Sequence, residues 1–162
     1  LREGKWRLAT ADFVILNGQH SSKNKRDDEA LNSSCPSISM ALTAMSICNL
    51  KTGNKIPLSE FIKENKTINA IAGIGDPQRF FNTLTSLAFT LDMQQAYVDH
   101  HHFTLDDFSQ FPDNIALLMT EKDAVKCRGF AQQHWWYLPV DAQFSEQEQQ
   151  ILVSKIKNMH LN

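Results

Sequence analysis

The sequence is poor in the features that announce several common protein classes. It has only three cysteines, Cys35, Cys48 and Cys127, an odd number with no Cys-x-x-Cys spacing. That argues against a disulfide framework and against a structural zinc site, and points to reduced thiols in a cytoplasm. No apolar run approaches the ~20 residues needed to cross a bilayer, and the first residues do not resemble a signal peptide. Neither sign of charge dominates: 16 Lys and Arg stand against 18 Asp and Glu, for a net charge of −2. There is therefore no general electrostatic attraction for nucleic acid or anionic lipid. An initiating methionine is absent as well. Leu1 to Gly18 reads as the end of something begun earlier, so an N-terminal portion is expected to precede Leu1.

What remains is 162 residues with 42% hydrophobic content, enough for one good domain or for one domain and the remnant of another. Trp6-Arg7-Leu8 suits a short helix. Phe13-Val14-Ile15-Leu16 is an apolar strand closed by Asn17-Gly18, and it fits as the last strand of a sheet whose other strands come earlier. Gln19 to Pro36 shifts to Ser, Lys, Asn and Asp and reads as a solvated loop. Ile38, Met40 and Leu42 alternate with other residues, a turn follows at Gly53-Asn54, and Ile56 to Phe61 supplies a second extended segment, together a ribbon between two lobes.

From Ile68 the pattern sharpens. Ile68 to Ala72 is a strand that runs into Gly73-Ile74-Gly75. Asp76-Pro77 then offers an N-cap with proline at the first helical position, ahead of Phe80, Phe81, Leu84, Leu87 and Ala88 at helical spacing. Met93 to Val98 is extended and ends at Asp99-His100-His101-His102-Phe103, where Thr104 and Asp107 sit as a capping pair. Ile115 to Met119 leads into Thr120-Glu121-Lys122-Asp123-Ala124-Val125-Lys126-Cys127. Trp135 to Val140 is a fourth strand, and Ser145 to Glu148 is a capping box for a last helix that carries Leu152, Ile156 and Met159. Strands alternating with helices predict an α/β fold with a mostly parallel, Rossmann-like sheet and flanking helices.

In such a sheet ligands gather outside the carboxyl ends of the strands. Three polar stretches each follow a strand, Gly73 to Arg79, Asp99 to Phe103 and Thr120 to Lys126, and are expected on one shared edge. Half of the six histidines lie in the second stretch, where imidazoles suit proton transfer, metal binding or phosphate contact. A metal would need ligands beyond Asp99, His100 and His102, such as His134, and a structural histidine is the commoner outcome for each. Arg79 either assists an anion at the helix start or pairs with Asp76. Lys122 and Lys126, which bracket Asp123, either hold a phosphorylated ligand or form solvated i, i+3 and i, i+4 pairs along the helix. Trp135-Trp136-Tyr137 suits core packing better than base stacking.

Several of these segments together resemble the tetraacyldisaccharide 4'-kinase (lipid A 4'-kinase) family: Arg2-Glu3, Ala11 to Gly18, Ala72 to Phe81, Asp99-His100, Leu118 to Cys127 and Trp135 to Val140. They occur in family order, and the Thr-Glu-Lys-Asp-Ala-Val-Lys-Cys run is highly specific. The resemblance covers nearly all of this chain but only the C-terminal half of the family's. It implies an enzyme of lipid A biosynthesis that uses ATP and Mg²⁺ to phosphorylate the 4'-hydroxyl of a tetraacyldisaccharide 1-phosphate. It also implies a peripheral location at the cytoplasmic face of the bacterial inner membrane, reached through an N-terminal segment, with no nucleic-acid partner.

By the same resemblance residues 1–36 are the remnant of a P-loop domain, 37–62 a two-stranded linker, and 63–162 a smaller α/β substrate domain. His100 takes the place of the family's catalytic histidine, which works with an aspartate of the P-loop domain, while Asp99, Arg79, Lys122 and Lys126 are candidates to contact substrate or phosphate. Asp76 stands where relatives often carry Asn or His. No Gly-x-x-x-x-Gly-Lys-[Ser/Thr] occurs in these residues, so ATP and Mg²⁺ are expected to be held mainly by the missing half, and this chain is expected to be inactive alone. The rival reading is a non-catalytic α/β module that binds a phosphorylated small molecule with the same three loops.

Overall fold

The computed structural model describes residues 6, 10–17 and 37–159. The expected helix at Trp6-Arg7-Leu8 lies outside these residues except for Trp6, and the expected loop from Gln19 to Pro36 lies wholly outside them. In chain order the elements are β1 (Val14–Asn17), β2 (Ser37–Thr43), β3 (Ser46–Asn49), β4 (Lys55–Pro57), α1 (Leu58–Glu64), β5 (Thr67–Ala72), α2 (Pro77–Ser86), β6 (Thr90–Ala96), β7 (Leu117–Thr120), α3 (Glu121–Cys127), β8 (Trp135–Leu138), β9 (Asp141–Gln143) and α4 (Glu146–Met159). Short 3-10 turns lie at Leu105–Phe108 and Arg128–Phe130. Two compact units divide the chain, one made of Leu1–Thr43 with Asp141–Asn162 and the other of Ala44–Val140.

The first unit holds a three-stranded sheet in the order β1-β2-β9. β1 runs parallel to β2, with Val14 opposite Ser37, and β2 runs antiparallel to β9, with Leu42 opposite Ala142. The strand ending at Asn17 thus has a later partner in sequence, β2. The capping box expected at Ser145 forms: the Ser145 N–H and hydroxyl donate to Glu148 Oε2 at 2.9 and 2.8 Å, and the Glu148 N–H donates back to Ser145 Oγ. The other carboxylate oxygen of Glu148 accepts the Ser39 N–H at 2.6 Å, so one side chain both caps α4 and fixes it to β2. Hydrogen bonds from Ser145 and then Ser39 hold the Glu148 carboxyl below its ordinary pKa.

The second unit is a six-stranded sheet in the order β4-β3-β8-β7-β5-β6. β6, β5, β7 and β8 are parallel, and the β3–β4 hairpin joins antiparallel beside β8. Gly53, at φ 77°, makes the hairpin turn, where a left-handed backbone suits glycine. The second extended segment expected at Ile56 to Phe61 is only partly so: extension stops at Pro57, and α1 begins at Leu58. Proline tolerates the position before a first helical turn, and Leu58 and Phe61 fall at i and i+3 to anchor that helix on the core.

Alternation along the central strands separates two packed layers. Ile68, Ala70 and Ala72 of β5 and Leu118 of β7 join Phe61, Phe80, Phe81 and Leu84. Ile71, Leu117 and Met119 face the other way, onto Phe103, Phe108, Ala124, Cys127 and Trp135. This is the period-2 signature of strands covered on both faces. Trp135 is buried, its ring 4.1 Å from that of Phe108, and so packs in the core. Asn69 is buried between strands, and its Oδ1 accepts the Met93 N–H at 3.1 Å beside an irregularity in the β5–β6 register at Ile68/Ala70.

The α2 helix depends on Leu84, which is fully buried in the first layer. Leu84→Ala is expected to lower stability by about 2–5 kcal/mol, measured by urea denaturation of the chain. An unchanged midpoint would show that α2 is not anchored through this residue.

Candidate functional site

The chain order of the parallel strands creates the crevice. From β5 the chain moves outward to β6, returns past β5 to β7, and continues to β8. The direction of winding therefore reverses between β5 and β7, and the loops after β5, β6 and β7 emerge on the same edge. The three polar stretches occupy this edge as expected.

The loop after β5 begins at the buried Gly73, whose N–H donates to Asp123 Oδ2 at 2.9 Å. A Cβ at Gly73 would lie 3.1 Å from both Asp123 Oδ1 and Phe103 Cζ, so the residue must be small for its loop to meet the other two. Asp76 caps α2 through the Arg79 N–H at 3.2 Å, with Pro77 in the first turn. Among the described residues the Arg79 guanidinium has no ion-pair partner. It is exposed on an open depression that also includes Asp76, Gln78 and Asn82.

The loop after β7 turns directly into α3. Asp123 is 0% exposed, yet it is well compensated: Oδ2 accepts from Gly73 N–H and from Thr120 Oγ1 at 2.7 Å, while Oδ1 meets Lys126 Nζ at 3.1 Å. Thr120 Oγ1 accepts the Asp123 N–H in return and caps the helix. Lys126 thus takes the along-helix pairing, and its ammonium also lies 5.3 Å from the Phe103 ring centre. Cys127, buried beneath, has its thiol pushed up to about 12 by burial first and the Asp123 charge second, so it stays protonated and unreactive.

Lys122 does not pair with Asp123. It reaches across to the loop after β6, where its Nζ lies 2.8 Å from Asp99 Oδ1. That same oxygen accepts the His100 N–H at 3.0 Å, and His100 Nε2 stands 3.7 Å from Asp99 Oδ2. The Lys122 hydrogen bond is the first cause that holds the Asp99 carboxyl below its ordinary value. A continuing strand would turn Asp99 away from His100. Instead β6 ends at Ala96, and His100 takes a left-handed backbone at φ 65°, which turns the loop back on itself. The His100 side chain is 79% exposed.

His101 and His134 separate from this group. His101 stacks on Tyr97 at 4.6 Å between ring centres, packs edge-on against Phe103, and contacts Asp107 Oδ1 through Nε2 at 3.2 Å. Asp107 also completes the expected capping box with Thr104. His134 lies before β8, at the opposite end of the strands, and Trp135 Nε1 donates to its Nε2 at 3.0 Å. Burial holds its pKa below the ordinary value. Among the described residues no three His, Cys, Asp or Glu side chains gather around a common metal position.

Of the sequence-derived candidates, the structure joins Asp99, His100 and Lys122 directly, ties Lys126 to Asp123, and leaves Arg79 on the neighbouring helix start. Asp123 itself was not among them. Its signal is the Thr-x-x-Asp spacing straight after an apolar strand, which makes Asp123 the third helical residue and turns it back toward the strand end.

Residues 1–157 match the family described as Tetraacyldisaccharide-1-P 4'-kinase. Curated relatives named Tetraacyldisaccharide 4'-kinase include one from Colwellia psychrerythraea, 53% identical over 155 residues that make up 96% of this chain and 43% of the relative. Another, from Psychromonas ingrahamii, is 43% identical over 98% of this chain and 44% of its own length. The chain spans under half the length of these relatives. A crystal structure of LpxK from Aquifex aeolicus, described as an "apo" form in complex with ATP, aligns with a TM-score of 0.65 at 21% identity, covering 96% of this chain and 46% of that one. At that identity the likeness supports the fold.

Two outcomes follow from the geometry. Asp123→Ala removes the acceptor for Gly73, Thr120 and Lys126 together and is expected to cost about 3–5 kcal/mol, read from denaturant unfolding; a loss below the error of that measurement would contradict the network. The second concerns pH. Burial alone would raise the Asp107 carboxyl, but hydrogen bonds from Thr104 and His101 outweigh it and hold the group below its ordinary 3.8. A depressed folded-state pKa stabilises above the unfolded value, and that stability is lost as pH falls through the folded one. Asp107→Asn should therefore lower Tm at neutral pH, with the difference from wild type shrinking as pH drops below about 3.8; a gap that widened on acidification would refute the sign.

Proposed function

The chain belongs to the Tetraacyldisaccharide-1-P 4'-kinase family, and from that membership we propose that its residues act as the C-terminal part of an ATP-dependent lipid kinase. The reaction is transfer of the γ-phosphate of ATP to the 4'-hydroxyl of a tetraacyldisaccharide 1-phosphate, a step of lipid A biosynthesis. In this reading residues 1–36 close a P-loop domain, 37–62 include the connector, and the sheet that follows carries the substrate-side residues. The compact division differs in two respects: it divides the expected connector, placing residues 44–62 with the sheet, and it returns Asp141–Asn162 to the first unit, where β9 pairs with β2.

The observation that carries the reading is the Asp99-His100 turn, held at the carboxyl edge of the parallel sheet by Lys122. His100 is the group to take the proton of the attacking hydroxyl: its imidazole is exposed, and 3.7 Å from Asp99 leaves it without a direct hydrogen bond to that carboxylate. A base must reach the proton it removes, and an exposed ring on a fixed turn can do so when the sugar approaches. Of the three cations at this edge, Arg79 is the one with no ion-pair partner among the described residues, and so the one left to meet a phosphate. Lys126 is committed to Asp123, and Lys122 to Asp99.

Asp99 and Asp123 do not suit a divalent cation. Both Asp123 oxygens already accept hydrogen bonds, and Asp99 is neutralised by Lys122, whereas Mg²⁺ needs open oxygen ligands in near-octahedral array. The reading leaves ATP and Mg²⁺ mainly to the part of the kinase that lies outside these residues. Among the described residues no helix is long and apolar enough to cross a membrane. The reading assigns peripheral attachment at the cytoplasmic face of the inner membrane to a segment outside this chain.

The test joins this chain to the remaining N-terminal portion of the Colwellia psychrerythraea relative and assays ATP-dependent phosphorylation of tetraacyldisaccharide 1-phosphate. Activity is expected in the fusion and not in the 162-residue chain alone. His100→Ala should lower kcat by about 10²–10⁴-fold. A fusion that stays fully active after that substitution would remove His100 from the chemistry, and a folded fusion that binds the disaccharide without phosphorylating it would favour a binding module.

A further inference from the structure

The pairing of Lys122 with Asp99 calls for an explanation that stability does not provide. The side chains are 47% and 43% exposed, and ion pairs that open to water contribute at most about 1 kcal/mol. Yet the pair sits on a backbone held against its own preference. His100 is one of two described non-glycine residues with positive φ, a conformation that costs an L-residue roughly 1–2 kcal/mol. Asp99 Oδ1 accepts the His100 N–H and the Lys122 ammonium at the same atom. The ammonium thus fixes the acceptor that in turn fixes the strained residue.

Lys122 is itself projected from an immobile point. Its neighbour Asp123 is fully buried and held by three donors, Gly73 N–H, Thr120 Oγ1 and Lys126 Nζ. The first turn of α3 is therefore fixed to the ends of β5 and β7, and Lys122 carries that fixity across to the loop after β6. Its neighbour at the site supports this: a Cβ at Gly75 would be 4.0 Å from Asp99 Oδ2, so the glycine loop borders the same carboxylate without filling its place.

We propose that Lys122 is a positioning residue for His100, acting through Asp99, and is not a phosphate ligand. The inference rests on the reading of His100 as the base. Displacement of a reacting group by about 1 Å can cost 10²-fold in rate, so a contact of little value to stability governs how well the imidazole meets its hydroxyl.

The experiment uses the fused kinase described above, with Lys122→Gln, Lys122→Arg, Asp99→Asn and the Lys122→Gln/Asp99→Asn double variant, followed by steady-state kinetics in both substrates. Lys122→Gln is expected to lower kcat about 10-fold while KM for ATP and for the disaccharide stays within about twofold. Lys122→Arg should recover most of the loss. The double variant should be no slower than the slower single, because the two residues act through one contact. A raised KM with kcat intact would make Lys122 a phosphate ligand and overturn the proposal, as would additive losses.

A second readout does not need turnover. Hydrogen exchange at the His100 amide of the fusion should quicken in Lys122→Gln and return toward wild type in Lys122→Arg; unchanged exchange overturns the mechanism. A wild-type fusion without kinase activity overturns the functional reading and this inference with it. An active fusion indifferent to Lys122→Gln overturns the inference alone.

Discussion

A carboxylate with no access to water sits where the winding of the sheet reverses, and the rest of the edge is arranged to tolerate it. An unpaired buried charge of this kind would cost several kcal/mol. Asp123 avoids that cost because a backbone N–H, a hydroxyl and an ammonium all point at it. Each of those donors comes with a structural demand. Gly73 must lack a side chain, Thr120 must end β7 in the extended conformation that lets it cap, and Lys126 must fold back along its helix against Phe103. The loops after β5 and β7 are thereby joined through one carboxylate.

Much of this was legible in the sequence because it is local. Ile68 to Ala72, the Gly73-Ile74-Gly75 turn and the Asp76-Pro77 helix start are written in consecutive residues whose propensities agree, and each formed. The same is true of the Thr104/Asp107 and Ser145/Glu148 capping boxes. The gathering of three loops on one edge was legible for a less local reason: parallel strands joined by helices have no other place to put the loops that follow them. Burial of Trp135 followed from its place in a strand that also carries Leu138.

What was not legible depended on choices between equivalent partners. Asp123 lies within helical reach of Lys126 on one side and next to Lys122 on the other, and sequence spacing alone cannot say that one lysine folds back while the other crosses 23 residues of chain to Asp99. Nor does alternation show where it stops. β6 ends before Asp99, and the left-handed His100 brings the acid back to its neighbour where a continuing strand would turn it away. Strand partners showed the same gap: β2 alternates convincingly, but its neighbours are β1 and the distant β9, and no local pattern encodes a contact across a hundred residues. Glu148 is the clearest instance, since the capping box is visible in four residues while its second oxygen, bonded to Ser39, is not.

On the proposed kinase reading, the balance of charge at this edge also limits what the chain contributes to phosphoryl transfer. Such transfer is accelerated by neutralising the charge that spreads over the moving phosphoryl oxygens and by holding the attacking oxygen in line. Two of the three cations placed here are already neutralised, Lys122 by Asp99 and Lys126 by Asp123, and releasing either would strand a carboxylate, a buried one in the second case. Of these three, Arg79 is the one with no ion-pair partner among the described residues. In the kinase reading proposed above, the economical division of labour therefore gives this chain the task of position, with a turn that presents His100, and leaves most of the charge neutralisation to the rest of the kinase.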